Sequence, residues 1–437
     1  MIDCRPLRIP AFRRLWVASA VTAVGGSFSL IAVPAQLYAL TGSSTAVGAA
    51  SGVSMGSLIL AALWSGTLAD AMDRRWLLLA GHAGLGLAHV GLWLNGALGF
   101  GSVPAVLVLA AVQGLGFGTV LTVAGAAVPR LVPSALLVAA NSLTSLTRHT
   151  GAVAGPLLAG VLIPLAGLDT LYLLDALALT GMLWAVGRLP AMLPAGPVER
   201  AGLGEGFRQV ARHRVLVAVL AVDLAAMVFS LPFALYPELA AGVYGGPAGG
   251  GMELGLLYAA YPAGVIMVGL VSGTFSRARR HGALMASAAM AWGGCAVLLG
   301  LATDLWPALA ALVVGGGVNF VLSTFRNAIS QACTDDALRG RVQGALVVVV
   351  MGGPQLANLV HGLAGAAVGA RVAIGAGGAL TVVTVALLVR VVPELCRYDA
   401  RSVREREGEP GGAKATRPAP NPQTLGAQAK PSRARRR

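Results

Sequence analysis

The chain has 437 residues, of which 56% are hydrophobic and only 11% are charged. Soluble proteins carry roughly 25% charged residues, and one core cannot bury this much apolar surface in water, so an ordinary water-soluble fold is excluded. The formal charge of +14 could suggest a nucleic-acid partner, and the placement of the basic residues decides that question.

A membrane-spanning helix needs about 20 apolar residues, and hydropathy predicts twelve such helices in two groups of six. The predicted fold is an all-α integral membrane protein with two related six-helix bundles. Approximate cores are 15–39, 45–69, 76–98, 103–127, 138–165 and 169–189, then 214–240, 252–273, 283–302, 305–328, 342–369 and 371–393. The predicted domains are an N-terminal segment 1–14, a bundle 15–189, a linker 190–213, a bundle 214–393 and a tail 394–437.

The basic residues predict the orientation of these helices. An even number of spans places both termini on one side, and the arginines concentrate in the termini, the linker and alternate loops. We interpret Arg148 as lying inside an apolar segment and only Arg371 as external, which leaves 30 of the 32 basic residues on one side. This asymmetry is the positive-inside pattern, so we expect cytoplasmic termini in a bacterial cytoplasmic membrane, and no nucleic acid.

The segment 66–75, GTLADAMDRR, carries four charges between two apolar spans. A carboxylate at the C-terminal end of the second span is disfavoured by that helix's own dipole. We therefore expect Asp70 to cap the start of the eleventh span when the two bundles close, with Arg74 and Arg75 pairing with nearby acids. The alternative is a topogenic loop whose charges only set orientation. The predicted gate comprises Gly66, Asp70, Asp73, Arg74, Arg75, Asp335, Asp336, Arg339 and Arg341.

We single out three ionisable residues inside the predicted spans as candidate sites, because a charge at a helix centre costs about 2.5–3.5 kcal/mol on insertion scales. They are Arg148, Asp175 and Asp223. Either acid could neutralise Arg148. A pair with Asp223 would join the two bundles and form a protonatable coupling site, whereas a pair with Asp175 would be structural.

The fifth span contains the segment GAVAGPLLAG at 151–160. Small residues four apart allow close helix contact, and a proline weakens one helical hydrogen bond. Gly151, Gly155, Pro156 and Gly160 therefore form either a general packing face or a more specific functional motif.

The two halves of the chain echo each other. Gly66-Thr67 recurs as Gly273-Thr274 about 207 residues later, and the segment 132–143 has a weak counterpart at 334–345, about 202 residues later. Such repetition is typical of transporters built from two related bundles.

The linker could form an amphipathic helix near 203–213 on the lipid headgroups. The polar tail predicts a disordered cytoplasmic segment, whose basic end either is solvated or touches anionic lipid.

Motifs for catalysis are missing from the sequence. The six histidines and four cysteines lack metal-ligand spacing, and there is no serine elbow or ATP-binding phosphate loop. We therefore expect no enzymatic activity, no cofactor and no metal, and an ion gradient as the energy source of any active transport.

Several of these segments resemble the major facilitator superfamily. The segment 66–75 matches its G-x-x-x-D-x-x-x-R-R loop, with Asp73 where the family often has glycine. The segment 151–160 is similar to the exporter motif G-x-x-x-G-P-x-x-G-G, with Ala159 at one glycine position. Residues 12–48, 128–148 and 336–342 look like its siderophore-exporter and drug-efflux branch.

The resemblance implies a monomeric secondary transporter among membrane lipids that exports a small amphipathic molecule, such as a drug, siderophore or secondary metabolite. It implies alternating access and proton antiport, although Ala110 stands where proton-coupled exporters often carry arginine. Alternatives are an importer or facilitator, or a transport-inactive sensor or scaffold acting through the linker or tail. The first, fourth, seventh and tenth spans would line the cavity, and their polar residues could orient a ligand or bond a neighbouring helix. These residues are Gln36, Gln113, Tyr236 and Asn319.

Overall fold

The computed structural model describes residues 4–26, 28–69, 71–133, 136–193, 208, 210–247, 249–271, 280–334 and 339–397. Ten helices in this part of the chain are long and apolar enough to cross a membrane. One of them, Ala139–Gly187, contains two spans because Gly167 has a non-helical backbone. With the helix Arg339–Val368 the total is twelve spans, which confirms the predicted fold class.

The first bundle contains six spans, which we number in chain order. They are α1 (Pro10–Gly25 and Ser29–Thr41), α2 (Ser44–Ala69), α3 (Arg74–Ala97), α4 (Val103–Leu131), and α5 and α6, which lie before and after Gly167 within Leu137–Gly187. A 3-10 turn at Arg5–Arg8 precedes α1. α1 extends into the predicted N-terminal segment 1–14, because Pro10, a residue suited to the first turn of a helix, begins it.

The second bundle repeats this arrangement. Its spans are α7 (Arg214–Ser230, then Phe233–Leu235 and Tyr236–Gly242), α8 (Met252–Leu270), α9 (His281–Leu301), α10 (Leu305–Ala332), α11 (Arg339–Val368) and α12 (Ala370–Val391). A short helix, Pro393–Arg397, follows α12, and Leu395 is fully buried beside Gly282 of α9. The first residues of the predicted tail 394–437 are therefore helical and pack on the bundle, and residues 398–437 lie outside the described part.

The connections alternate between two ends of the molecule. We call the end with the connections 42–43, 98–102, 167, 243–251, 302–304 and 369 the turn end, and the opposite end the linker end. Gly167 (φ 80°) and Gly369 (φ 83°) occupy matching turns, α5–α6 and α11–α12, about 202 residues apart. Only glycine adopts this conformation without strain, so the internal repetition extends to backbone geometry.

Two spans are broken where continuous helices were predicted. α1 is interrupted between Gly25 and Ser29, and α7 between Ser230 and Phe233. In α7 the interruption contains Pro232, which has no N–H to continue the helical hydrogen bonding. Matching breaks in the first span of each bundle place free helix ends inside the membrane region, where polar side chains must satisfy them.

The bundles approach most closely through paired glycines near the turn end. A Cβ added to Gly362 of α11 would lie 2.7 Å from the Cα of Gly48 of α2. A Cβ added to Gly255 of α8 would lie 2.6 Å from the Cα of Gly160 of α5. Gly255 follows Gly48 by about 207 residues and Gly362 follows Gly160 by about 202, the same intervals as the repeated motifs. We call these two contacts the glycine seam.

Candidate functional site

A buried ion pair connects α7 and α10. Nη1 of Arg326 donates to Oδ1 of Asp223 at 2.9 Å and to Oδ2 at 2.8 Å, and Asp223 is fully buried. Asp223 lies nine residues into α7, roughly 14 Å from its linker end, and Arg326 lies about 9 Å inside α10. A carboxylate and an arginine can lie this far inside the membrane region because each neutralises the charge of the other.

The structure gives Asp223 a partner that the sequence interpretation did not name, because its carboxylate binds Arg326 of the same bundle. The pairing of Arg148 with Asp223 or with Asp175 stays a prediction. The side chain of Arg148 lies outside the described residues. Arg326 was missed although it falls within the predicted tenth span, and an arginine in an apolar span is itself the signal of a functional site.

A tyrosine and an asparagine lie near the ion pair. Asn319 of α10 interacts with the hydroxyl of Tyr261 of α8, and Tyr261 is near enough to Asp223 and Arg326 to experience both charges. The cluster therefore joins α7, α8 and α10 in the second bundle.

A second buried carboxylate, Asp175 of α6, caps the break in α1. Its Oδ2 accepts a hydrogen bond from the backbone N–H of Ser29 at 2.9 Å and a short one from the Ser29 hydroxyl. Ser29 begins the second part of α1, so the acid lies at the positive end of that helix. Nε2 of His89 in α3 is 3.9 Å from the same oxygen. Among the described residues Oδ1 of Asp175 has no hydrogen-bond partner.

The second bundle caps its own break with neutral groups. The hydroxyls of Ser230 (α7) and Thr381 (α12) are 2.7 Å apart, and Oδ1 of Asn358 (α11) accepts from the N–H of Ala234 at 3.1 Å. Both bundles therefore cap a break in their first span, but the first bundle uses a carboxylate and the second uses neutral groups. Only the first bundle places an acid at its helix break, within the part of the chain that the structure describes.

A carboxylate also links the two bundles at the turn end. Glu238 of α7 accepts a short hydrogen bond from the hydroxyl of Ser44, which begins α2, and a bond of 3.0 Å from the N–H of Ala370, which begins α12. Its charge thus lies beside two positive helix ends. Sequence analysis missed Glu238, although an acid within the predicted seventh span is a recognisable signal.

At the linker end, the described part of the predicted gate binds within its own bundle. Oδ1 of Asp73 caps α3 by accepting from the N–H of Arg75 at 3.0 Å, and it also accepts from the N–H of Met192 at 2.9 Å. Nη1 of Arg75 donates to the carbonyl of Leu189 at 3.1 Å. These bonds tie the start of α3 to the segment after α6.

The remaining gate predictions are not tested by these contacts. Gly66 lies near α4, since an added Cβ would be 4.0 Å from Thr122. Asp70, Asp335 and Asp336, and the side chains of Arg339 and Arg341, lie outside the described residues. The capping of α11 by Asp70 therefore stays a prediction.

Two of the four predicted ligand contacts, Gln36 and Tyr236, are buried among the helices, and the Tyr236 hydroxyl has no hydrogen-bond partner among the described residues. Oε1 of Gln36 accepts from the hydroxyl of Tyr172 at 2.8 Å within the first bundle. Tyr236 is fully buried, with its ring centroid 5.0 Å from that of Tyr258. Gln113 is half-buried on α4, and Asn319 lies beside the ion pair. Asn319 therefore contacts Tyr261, which lies near the Asp223–Arg326 pair.

The exporter-like segment of α5 lies at two helix contacts. An added Cβ on Gly151 would be 2.4 Å from the carbonyl oxygen of Ala23 in α1, and one on Gly255 would be 2.8 Å from the carbonyl oxygen of Pro156. Gly155 is buried, and Gly160 belongs to the glycine seam. This segment therefore contacts the broken span of its own bundle and also the other bundle.

A family model described as transmembrane secretion effector matches residues 3–410. The enterobactin exporters EntS of Shigella boydii serotype 18 and Escherichia coli O139:H28 are each 28% identical over 393 residues, which is 89% of this chain and 93% of theirs. The nucleoside transporter NupG has a similar solved structure, with TM-score 0.69, 13% identity and coverage of 89% of this chain and 99% of that one. A bacterial homologue of the human lysosomal transporter Spinster, inward-facing and unoccupied, has TM-score 0.66, 15% identity and coverage of 90% and 97%.

Proposed function

Because the chain belongs to the transmembrane secretion effector family and has the major facilitator fold, we propose that it exports a small amphipathic molecule by alternating access. The setting is a bacterial inner membrane, which the protein crosses many times. The proposed substrate class is a drug, a siderophore or a secondary metabolite. The name of the exporter relatives supports a siderophore-like compound within that class.

The glycine seam is the observation that carries this proposal. Two backbone contacts, related by the internal repetition, join the bundles near the turn end, and Glu238 adds a charged link at the same end. We take the turn end as external, because the arginines of the linker, the tail and the alternate loops would then be cytoplasmic. The structure then represents a state closed to the outside, and export requires the bundles to separate along the seam.

Proton antiport is the proposed energy source, with the ion pair of α7 and α10 as the coupling site. Asp223 can exist as a carboxylate while Arg326 neutralises it, and it can accept a proton when the arginine moves away. A substrate or a rocking motion that displaces Arg326 would therefore change the proton occupancy of the site. Asn319 and Tyr261 place polar groups beside this exchange.

We propose that the gate at the linker end closes when the glycine seam opens, and opens when the seam closes. Asp70 would cap the start of α11 when the cytoplasmic side closes, while Asp73 and Arg75 hold the loop to residues 189–192. The transporter is proposed to act as a monomer surrounded by lipid.

Transport by inverted membrane vesicles tests the direction and the coupling. Vesicles from cells that produce the protein are energised to acidify their interior and are given a panel of siderophores and amphipathic dyes. We expect at least one compound to accumulate inside, and its accumulation to stop when a protonophore removes the gradient. Accumulation only in right-side-out vesicles would contradict export, and accumulation unaffected by the protonophore would contradict proton antiport.

A further inference from the structure

A groove of about 420 Å³ lies between α1 and α6 on the surface of the first bundle, toward the linker end. Its walls are apolar. Val17 and Val21 of α1 and Leu177 and Trp184 of α6 are between 49% and 57% exposed. Its described lining residues all belong to the first bundle and include none of the glycine seam or of the Asp223–Arg326 pair. Its volume is within the range of about 300–1,000 Å³ of small-molecule sites.

The mouth of the groove is strongly positive. Arg13 and Arg14 line it and lie in the first turns of α1, which begins at Pro10, so the positive end of the helix dipole adds to their charge. Nε of Arg14 donates to the carbonyl of Pro10 at 3.2 Å, which holds the guanidinium near the helix end. No acid is among the described residues that line the groove. Its mouth therefore favours an anionic group.

The groove continues from this mouth into the apolar region. Val21 lies eight residues beyond Arg13, roughly 12 Å along the helix axis, which is most of the depth of one leaflet of a hydrocarbon core of about 30 Å. Small residues form its floor, and an added Cβ on Gly181 would meet no atom within 4 Å. Trp184 has the amphipathic ring that prefers the boundary between headgroups and hydrocarbon.

We propose that this groove is a binding site for an anionic phospholipid. Arg13 and Arg14 bind the phosphate, and one acyl chain lies between Val17 and Val21 on one side and Leu177 on the other. Basic clefts between membrane helices suit anionic headgroups, and apolar walls alone would not distinguish them from zwitterionic ones. The lipid would brace α1 against α6 close to where Asp175 caps the break in α1.

Thermal unfolding and native mass spectrometry of the purified full-length protein test the site. Dioleoylphosphatidylglycerol is the anionic probe, and dioleoylphosphatidylethanolamine is the zwitterionic control. We expect the anionic lipid to raise the melting temperature and to remain bound in the spectrometer. The double variant Arg13→Gln/Arg14→Gln should weaken its binding about tenfold or more, because two charges facing the phosphate are lost.

The variant Gly181→Leu tests the apolar part while keeping both charges. Its side chain enters the open space above Gly181, so it should reduce lipid binding even if the arginine variant folds poorly. Gly84→Leu, at a glycine of α3 that is equally open, and Arg390→Gln, at the linker end of α12, are the matched controls and should bind lipid normally. Equal responses to the two lipids, or normal binding by both groove variants, would overturn the proposal. A different result would assign the groove to the substrate instead. In that case a transported compound would displace the lipid, and both groove variants would lose binding of that compound.

Discussion

Asp223 and Asp175 are both fully buried, yet their surroundings give them different chemistry. Asp223 is neutralised by Arg326, whereas the described neighbours of Asp175 are a helix end, a hydroxyl and His89. A residue neutralised by a movable cation suits proton exchange, and a residue bonded to a helix end suits the support of a broken span.

Removal of one partner of the Asp223–Arg326 pair should be costly. Asp223→Asn or Arg326→Gln leaves an unpaired or unsatisfied buried group and should lower stability by about 3–5 kcal/mol, and the double variant should recover much of this loss. Thermal unfolding of the four proteins in one detergent measures the coupling. Arg390→Gln serves as an exposed control.

Transport by the same variants separates coupling from stability. A double variant that is stable but transports without dependence on the proton gradient would support the proposed coupling site. Wild-type dependence of transport on pH in that double variant would contradict it.

The cap on α1 predicts a difference between two replacements of Asp175. Asparagine keeps an oxygen for the Ser29 N–H, as Asn358 does for Ala234 in the second bundle, so Asp175→Asn should change stability little. Asp175→Leu removes the acceptor and should cost about 1–3 kcal/mol. Thermal unfolding compares them, and equal losses would contradict the capping role.

At the scale of the elements, the interruptions of α1 and α7 and the glycine seam follow the same internal repetition. Each bundle supplies one broken span and two helices that contact the other bundle through glycine backbone, α2 and α5 from the first and α8 and α11 from the second. Because the glycine contacts themselves contain no interlocking side chains, the proposed separation of the bundles would require little rearrangement at these glycines.

Alanine in the glycine seam should impair the closed state. A methyl group on Gly48 or Gly255 would lie within 3.0 Å of backbone atoms of the other bundle, so Gly48→Ala/Gly255→Ala should cost about 1–3 kcal/mol and reduce transport at least tenfold. Gly84→Ala, which meets open space, is the control. Full transport by the double variant in proteoliposomes would rule out a closed seam as a step of the cycle.

Replacement of Glu238 should shift the equilibrium between the states that are closed and open at the turn end. Glu238→Gln weakens the bonds to the starts of α2 and α12 and should increase the population that is open at the turn end. Spin labels at Thr41 and Gly242, in a background lacking the four native cysteines, report this as a longer distance between labels. An unchanged distance distribution would show that Glu238 does not hold the two bundles together.

At the scale of the whole molecule, the described contacts of the C-terminal segment end near Leu395, which packs on α9. Deletion of residues 398–437 should therefore leave transport in inverted vesicles close to that of the full chain. A protein that acted as a scaffold through its tail would instead lose function. Normal membrane levels of the truncated protein, measured by immunoblot, are the control.

The sequence alone determined the number of spans, their approximate bounds and the family resemblance. A membrane helix must satisfy its own backbone hydrogen bonds, so each span appears as a local run of apolar residues that can be read without its neighbours. The internal repetition was also visible locally, as Gly66-Thr67 and Gly273-Thr274 indicate. These features depend on residues close together in the chain.

Only the tertiary structure decided which buried charge meets which partner. Asp223 and Arg326 lie 103 positions apart and Ser29 and Asp175 lie 146 apart, and hydropathy contains no information about which helices are neighbours. The caps on the breaks in α1 and α7 were equally hidden, because Asp175 and Asn358 come from other helices, whereas Pro232 was a local sign of the break in α7. An apolar run reports that a segment enters the membrane, whereas the pairing of its polar groups depends on how all twelve spans pack.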